Sequence, residues 1–294
     1  VVFVARQQIF DRASRLVGYE LLYRPTASAH EPSSTSDSLR MTGTTIVSAV
    51  LSIGLDQITG KTPAWINFPR ELLLEHDFEL LDPTRCTIEL LESVACDDET
   101  IAACELLRER GFTLALDDFS GGDEYLPLLR LAQVVKIDVH RRTEEELAAM
   151  VLRLRPFRVQ LLAEQVEHER TYDVCRRLGF SFFQGYHLRR PDVVQRRDLP
   201  VEFRGTARLM RMLNDDDNPD RDVESEFRSD PGLSLKLLRI VNSAALGGRG
   251  VESILHALQI VGRVSLHRWL ALLLVGSVPR ANDVDREFVL LALE

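Results

Sequence analysis

The sequence predicts an α/β protein in which a (β/α) barrel with one antiparallel strand is followed by an all-α domain. Two β-rich runs, at residues 3–10 and 16–23, are separated by only five residues. A parallel crossover needs about a dozen or more residues, so these runs predict an antiparallel hairpin. From there to residue 190, β-rich runs alternate with helical patterns, which is typical of a barrel of parallel strands. Beyond Pro191 only helical periodicity remains.

Each predicted strand is a short, mostly apolar run bounded by turn or helix patterns. The eight predicted strands cover residues 3–10, 16–23, 64–68, 86–91, 113–117, 134–137, 159–163 and 182–188. The helices predicted between them include residues 39–53, 70–81, 99–110 and 168–178. Gly111 and Gly179 end the last two helices, and the Ser/Thr-rich stretch 26–38 predicts a loop.

The barrel domain is predicted to cover residues 1–193, and the helical domain residues 194–294. Helical patterns in the second domain lie at residues 203–213, 223–228, 233–241, 254–261 and 266–275. Asp230 and Pro231 predict a helix start, because proline is tolerated in the first helical turn. The apolar stretch 269–275 favours a core position.

Charge and composition exclude several classes of protein. A net charge of −9 argues against binding to a nucleic acid polymer, which needs a basic surface. Four cysteines without CxxC spacing predict reduced core residues in a cytoplasmic protein. The longest apolar stretch, 269–275, is too short to cross a membrane, and the first residues do not resemble a signal peptide.

Polar side chains end six of the apolar runs. They are Glu20, Asn67, Glu89, Asp117 with Asp118, Lys136 and Glu164. Because the carboxyl ends of barrel strands meet at one mouth, these side chains are predicted to converge there. Carboxylates gathered in this way repel one another unless cations lie among them. The pattern therefore predicts a metal-dependent enzyme, and oxygen ligands without clustered His and Cys favour Mg²⁺ or Mn²⁺ over zinc.

Two structural readings and one other enzymatic reading compete with this interpretation. Acidic residues after strands often cap the next helix, so any one of these positions could be structural. Lys136 could be an ordinary ion-paired lysine, or a Schiff-base lysine of an aldolase-type barrel. The Schiff-base reading is the weaker, because neighbouring carboxylates raise a lysine pKa whereas amine nucleophiles need a lowered one.

The motifs around these residues, in this order, resemble the EAL domain of bacterial cyclic di-GMP phosphodiesterases. Seven short segments over residues 1–193 carry the resemblance: Gly18-Tyr-Glu-Leu-Leu-Tyr-Arg24, Ile66-Asn-Phe68, Glu89-Leu-Leu-Glu92, Leu116-Asp-Asp-Phe119, Lys136-Ile-Asp138, Ala163-Glu-Gln-Val-Glu167 and Gln184-Gly-Tyr186. Each segment alone is a weak signal, and the ensemble is specific.

The resemblance implies a role for each matching residue. Two Mg²⁺ or Mn²⁺ ions are expected to be held by Glu20, Asn67, Glu89, Asp117 and Asp118. Lys136 is expected to orient the attacking water, and Glu164 to act as a general base. Arg24 and Gln184 are expected to contact the substrate. Glu92 is expected to stabilise the loop after the paired aspartates. Glu167 is expected to belong to the same polar surface at the base of the site.

Three departures from the family pattern concern the substrate side of the site. The loop Asp118-Phe-Ser-Gly-Gly122 replaces a DFGTG-type sequence, and the segment between Arg24 and Asn67 is short and polar. Gln165 stands where a glycine is usual. These departures leave two hypotheses open: hydrolysis of cyclic di-GMP to linear pGpG, or an enzymatically silent scaffold that binds cyclic di-GMP or protein partners.

Two short motifs point elsewhere and are interpreted as coincidences. The sequence Gly121-Gly-Asp-Glu-Tyr125 is similar to the signature of diguanylate cyclases, but it follows Asp118 in the loop expected of the barrel. The pair His76-Asp77 suggests an HD-type metal site, but it lies within an amphipathic helical pattern.

The helical domain resembles the N-terminal part of an HDOD domain. Three segments carry this resemblance: Ser229-Asp-Pro-Gly-Leu-Ser234, Leu237-Leu-Arg-Ile-Val-Asn-Ser-Ala244 and Ser253-Ile-Leu-His-Ala-Leu-Gln-Ile-Val-Gly262. HDOD domains are non-catalytic interaction modules, so the resemblance implies protein partners for this half and allows a homodimer. His256 and His267 are isolated and are interpreted as ordinary helix residues rather than metal ligands.

Overall fold

The computed structural model describes residues 2–23, 50, 54–74, 81–140, 142–185, 187–188, 192–196, 203–215, 217–242 and 250–277. Several predictions lie outside these residues. They concern Arg24, Tyr186, the pair His76-Asp77, the loop 26–38 and nearly all of the helix 39–53.

The strands of the first domain form a closed barrel of eight strands, extended by a ninth. They are β1 (Val2–Asp11), β2 (Leu16–Tyr23), β3 (Ala64–Phe68), β4 (Cys86–Leu90), β5 (Thr113–Leu116), β6 (Val134–Asp138), β7 (Gln160–Glu164), β8 (Phe182–Phe183) and β9 (Asp192–Arg196). Neighbouring strands follow chain order from β2 to β8, and all of these pairs are parallel. Strand β1 pairs antiparallel with both β2 and β8 and closes the barrel. The predicted barrel with one antiparallel member is confirmed.

The structure differs from the predicted strands by more than one residue in two places. Strand β8 ends at Phe183 rather than at residue 188, because the chain turns at Gly185 and Gln184 follows the strand. Strand β9, which pairs antiparallel with the first half of β1, lies beyond the point where strand patterns were predicted to stop. It crosses the predicted domain boundary between residues 193 and 194, and that boundary stays a prediction.

The helices connect the strands and then form the second domain. They are α1 (Leu55–Thr59), α2 (Arg70–Leu74), α3 (Asp98–Glu109), α4 (Leu126–Leu131), α5 (Glu144–Leu154), α6 (Glu169–Leu178), α7 (Phe203–Asn214), α8 (Asp220–Ser229), α9 (Pro231–Val241), α10 (Ile254–Val261) and α11 (Arg263–Ser277). The helix predicted to reach residue 81 is wrong at that end, since Leu81 lies in a bend.

Capping residues explain where several helices begin. Thr143 accepts a hydrogen bond from the Glu146 backbone N–H, and the Glu146 side chain accepts one from the Thr143 N–H, which is a capping box. Asp230 accepts hydrogen bonds from the N–H groups of Gly232 and Leu233, directly before Pro231. The predicted helix start at this Asp-Pro pair is confirmed.

An apolar layer fills the barrel interior below its mouth. It consists of Ile9, Trp65, Ala115, Val134 and Leu162, all buried. Four of these residues precede a polar residue by two positions along or directly after the same strand, and side chains two apart on a strand point to the same face. This apolar layer, which we call the apolar floor, therefore lies directly below the side chains of Asn67, Asp117, Lys136 and Glu164.

The second domain has its own apolar core. Trp269 is fully buried and its ring stacks on Phe227, with centroids 6.4 Å apart. Arg263 donates to the carbonyl oxygens of Asp215 and Asn218 and pairs with Asp220, so it ties α11 to the turn between α7 and α8. The described part of the stretch 269–275 is buried, as predicted. Within the described residues, every helix is too short or too polar to cross a membrane.

Gly185 lies where the loop after β7 and the loop after β8 touch. A Cβ atom at this position would lie 2.3 Å from both the N and the O of Val166. These are backbone atoms held by hydrogen bonds from Val166 N to Gln184 O and from His187 N to Val166 O, so they cannot move aside. Only glycine fits here.

We expect Gly185→Ala to lower the free energy of unfolding by about 2–4 kcal/mol, because the methyl group forces these loops apart. Urea denaturation followed by circular dichroism measures the change. Gly205→Ala is the matched control, since its Cβ meets no atom within 4 Å and α7 favours alanine. Equal stability of the two variants would contradict the close approach.

Candidate active site

The predicted polar residues converge on one mouth of the barrel. Glu20, Asn67, Glu89 and Lys136 lie on β2, β3, β4 and β6, and Glu164 is the last residue of β7. Asp117 and Asp118 follow β5, and Gln184 follows β8. The parallel register aligns Asn67 with Glu89 and Asp138 with Glu164. Residues up to 164 positions apart in the chain therefore meet at the carboxyl ends of the strands.

Lys136 lies at the centre of four carboxylates and is fully buried. Its Nζ is 2.7 Å from Asp117 Oδ1 and 2.9 Å from Glu89 Oε1. It is also 3.0 Å from Glu164 Oε1 and 3.2 Å from Glu20 Oε1. An ammonium group has three protons, so four anionic neighbours exceed what it can bond at one time.

Glu20 has amide partners as well. Asn67 Nδ2 donates to Glu20 Oε1 over 3.4 Å, and Gln184 Nε2 donates to Glu20 Oε2 over 2.5 Å. The amide nitrogens of both side chains are thus turned towards Glu20, and their oxygens are free to face another group.

Several buried oxygens at this mouth have no hydrogen-bond donor within the described part of the chain. They are Asn67 Oδ1, Gln184 Oε1 and Glu89 Oε2, whereas Glu89 Oε1 lies 2.9 Å from the Lys136 ammonium. A buried acceptor without a donor is costly, and a bound cation is one of its ordinary explanations. Asp117, Asp118 and Glu164 also bring one oxygen each to within 4.8 Å of one another. This set of hard oxygen donors fits Mg²⁺ or Mn²⁺.

The carboxylates differ in how strongly the protein holds their charge. Burial raises the pKa of Glu89 and of Glu164 well above its usual value, and the charge of Lys136 only partly opposes this. Burial also acts on Glu20, but Lys136 together with the hydrogen bonds from Gln184 and Asn67 outweighs it and lowers the Glu20 pKa. Glu20 is thus the most firmly ionised of these three carboxyl groups.

Lys136 is held as a cation. Burial alone would lower the lysine pKa, but the charges of Asp117, Glu164, Glu20 and Glu89 raise it well above the usual value. An amine nucleophile needs the opposite shift. The Schiff-base reading is therefore disfavoured on electrostatic grounds.

Asp118 turns away from the strand direction. Its φ is 45°, in the left-handed region that aspartate tolerates better than most residues. This turn allows adjacent Asp117 and Asp118 to reach the same group of oxygens. Desolvation by the surrounding protein, followed by the charge of Asp117, raises the pKa of Asp118 to about 6, although the residue is exposed at the rim.

The supporting residues lie at the rim. The Glu92 side chain is exposed, and its backbone carbonyl accepts a hydrogen bond of 2.8 Å from the Tyr125 hydroxyl. Glu167 Oε2 lies 3.3 Å from Nδ1 of His140. Arg24, which is predicted to contact the substrate, lies outside the described residues.

Gln165 and the cyclase-like motif each have a defined local backbone structure. Gln165 is exposed and has φ 53°, so its backbone adopts the left-handed conformation for which glycine is favoured. The residues Asp123–Tyr125 of the cyclase-like motif form a 3₁₀ turn after β5, where Asp123 pairs with Arg153. The motif is part of the barrel loop, as interpreted from its position.

Sequence reasoning missed two residues of this mouth, Gln7 and His140. Gln7 lies opposite Glu20 in the antiparallel pairing of β1 and β2, so both side chains face the same side of the sheet. It is also two residues from Ile9 of the apolar floor. The hairpin could be predicted from the sequence, but this pairing could not, because an irregularity between Ile9 and Phe10 shifts the register by one residue. For His140 no sequence signal was available, because its contact joins two separate loops.

We expect Lys136→Met to lower the free energy of unfolding by about 3–5 kcal/mol, because it leaves buried carboxylates without their cation. The loss should shrink as pH falls, since Glu89 and Glu164 with raised pKa become neutral, and also when Mn²⁺ is added. Urea denaturation in EDTA and in Mn²⁺ measures both effects. Lys61→Met, at an exposed lysine, is the control. A Lys136→Met protein as stable as this control would show that the cluster needs no cation.

We expect Asp118→Asn to stabilise the metal-free protein at pH 7 by less than about 1 kcal/mol, because solvent screens this rim position. The folded-state pKa of about 6 lies above the usual 3.8, so the stability cost of the charged form develops as pH rises from 3.8 to 6. The difference from the parent protein should vanish below pH 4. Thermal denaturation in EDTA from pH 4 to 7 measures it, with exposed Asp173→Asn as control.

The chain matches known families in both halves. The sequence pattern of the EAL domain matches residues 34–191, and that of the HDOD domain matches residues 199–288. An uncharacterized protein, YuxH of Bacillus subtilis, is 30% identical over 98% of this chain and 72% of its own length. The cyclic di-GMP phosphodiesterase CdgJ of Vibrio cholerae is 33% identical over 82% of this chain and 56% of its own length.

Solved structures share the barrel fold. BlrP1 of Klebsiella pneumoniae, in complex with manganese and cyclic di-GMP, superposes with a TM-score of 0.54 at 22% identity. The superposition covers 65% of this chain and 56% of BlrP1. At this identity the similarity concerns the fold alone. Together with the sequence matches, it shows that this chain belongs to the EAL domain family and carries an HDOD domain after the barrel.

Proposed function

We propose that this protein is a cyclic di-GMP phosphodiesterase that hydrolyses its substrate to linear pGpG at the barrel mouth. One observation carries the proposal: buried carboxylate and amide oxygens converge around Lys136, and several of them have no donor within the described residues. Such a concentration of negative charge is suited to divalent cations and a phosphodiester. The relative CdgJ, named as a cyclic di-GMP phosphodiesterase, supports the choice of substrate.

Two Mg²⁺ or Mn²⁺ ions would be held by Glu20, Asn67, Glu89, Asp117 and Asp118 in this proposal. When bound, such ions neutralise charge on the phosphodiester and lower the pKa of a water molecule. Asn67 Oδ1 and the Glu89 carboxylate, both buried and short of donors, are the oxygens that fit this role best.

Glu164 is the general base in this scheme. Its raised pKa brings the carboxyl group closer to neutrality than an exposed glutamate, which suits a group that accepts a proton from water and later releases it. Lys136 keeps its proton, because the surrounding carboxylates raise its pKa. In this proposal it would orient a water by donating a hydrogen bond to it in place of one of its four carboxylate contacts. Gln184 and Arg24 would contact the substrate, with Glu92 and Glu167 supporting the adjacent loops.

The HDOD half would bind protein partners, and a homodimer is compatible with the proposal. The cytoplasmic location stays a prediction.

Hydrolysis of cyclic di-GMP in Mg²⁺ or Mn²⁺, followed by chromatography of the linear product, tests the proposal. We expect Glu20→Ala and Glu164→Gln to lower kcat by about 100-fold or more, because each removes a charged group of the reaction centre. Asp173→Ala, at an exposed position on α6, should retain full activity.

Binding measured in Ca²⁺ separates the remaining outcomes. Tight binding of labelled cyclic di-GMP without product would favour the enzymatically silent scaffold. Neither binding nor product would overturn the nucleotide function and leave a protein-interaction role alone.

A further inference from the structure

The loop after β6 and the loop after β7 meet at the mouth beside Glu164. Asp138 and Glu164 are aligned as the last residues of their strands, and Val139 N donates to Glu164 O over 3.2 Å. The backbone of Glu164 is thus held from the β6 side by the strand pairing and by this hydrogen bond. Immediately after Glu164 the chain turns through left-handed Gln165.

Beyond Gln165, the β7 loop is fixed from the opposite side. Val166 N donates to Gln184 O, and His187 N donates to Val166 O, both over 3.0 Å. The tight approach at Gly185 leaves no space between these two loops. Backbone hydrogen bonds therefore hold the loop after β7 against the loop after β8.

Towards β6, a side-chain contact completes the arrangement. His140 Nδ1 lies 3.3 Å from Glu167 Oε2, and both side chains are about one third exposed. The β6 loop is itself ordered, because His140 N donates to Asp138 Oδ1 and Arg142 Nε donates to the Asp138 carbonyl. His140 is thus presented to Glu167 by a defined turn.

We propose that His140 is a positioning residue, which by contacting Glu167 links the β6 and β7 loops and fixes Glu164 at the mouth. The role rests on the proposed function, in which Glu164 is the general base. A base displaced by a fraction of an ångström still lets substrate bind but transfers the proton less well. Loss of the link therefore affects kcat rather than KM.

Kinetics of three variants test this role. We expect His140→Ala to lower kcat about tenfold with KM changed less than about twofold, in line with other residues that orient a reacting group. His140→Gln, whose amide can reach Glu167, should recover most of the loss. His168→Ala is the matched control, since this histidine is exposed and its side chain makes no cap hydrogen bond.

Amide hydrogen exchange gives a readout that does not need turnover. We expect His140→Ala to speed exchange at the hydrogen-bonded amides of Val139 and Val166 about fivefold or more, with no change in α3 or in His168→Ala. If the wild-type protein has no activity, the proposed function fails, and exchange still decides whether the contact orders these loops.

Three results would overturn the proposal. One is the same exchange and the same kcat in His140→Ala and His168→Ala. Another is a raised KM at constant kcat, which would show that His140 touches the substrate instead. The third is an additive loss of kcat in the His140→Ala, Glu167→Ala double variant, since residues that act through one contact must not add.

Discussion

The ammonium group of Lys136 is the interaction on which the mouth of this barrel depends. It lies within 3.2 Å of oxygens from Glu20, Glu89, Asp117 and Glu164 and is screened from water on all sides. Buried ion clusters of this kind rarely add net stability, because desolvation of the charges offsets their attraction. Their presence in the protein interior is better explained by a role in binding or catalysis than by a contribution to the stability of the fold.

The imbalance of charge in this cluster leads directly to the proposed use of cations. One ammonium cannot satisfy four carboxylates. Burial, with the charges of neighbouring carboxylates, raises the pKa of Glu89 and of Glu164, whereas the pKa of Glu20 is lowered. In addition, Asn67 Oδ1 and Gln184 Oε1 have no donor among the residues that the structure describes. A site with more oxygen ligands than its one internal cation can neutralise is suited to bind additional cations.

Two features of the fold keep the residues of the site in position, one below the mouth and one at its side. Below it, the apolar layer of Ile9, Trp65, Ala115, Val134 and Leu162 keeps the strands in register, and a one-residue slip would exchange the polar mouth with the outer face. At the side, the left-handed residues Asp118 and Gln165 turn the chain sharply after β5 and β7. Backbone strain at such positions persists because the surrounding loops over-determine it.

The amino-acid sequence by itself determined which segments become strands and helices and which polar residues end the strands, because hydrophobic period and capping residues act between chain neighbours. It did not predict that β8 ends at Phe183 or that β9 follows, since the former depends on the contact of Gly185 with Val166 and the latter on pairing with β1. Only the tertiary structure decided that Lys136 touches four carboxylates and that His140 meets Glu167. Such contacts join residues distant in the chain, and their distances are set by the closure and register of the barrel, which no local pattern encodes.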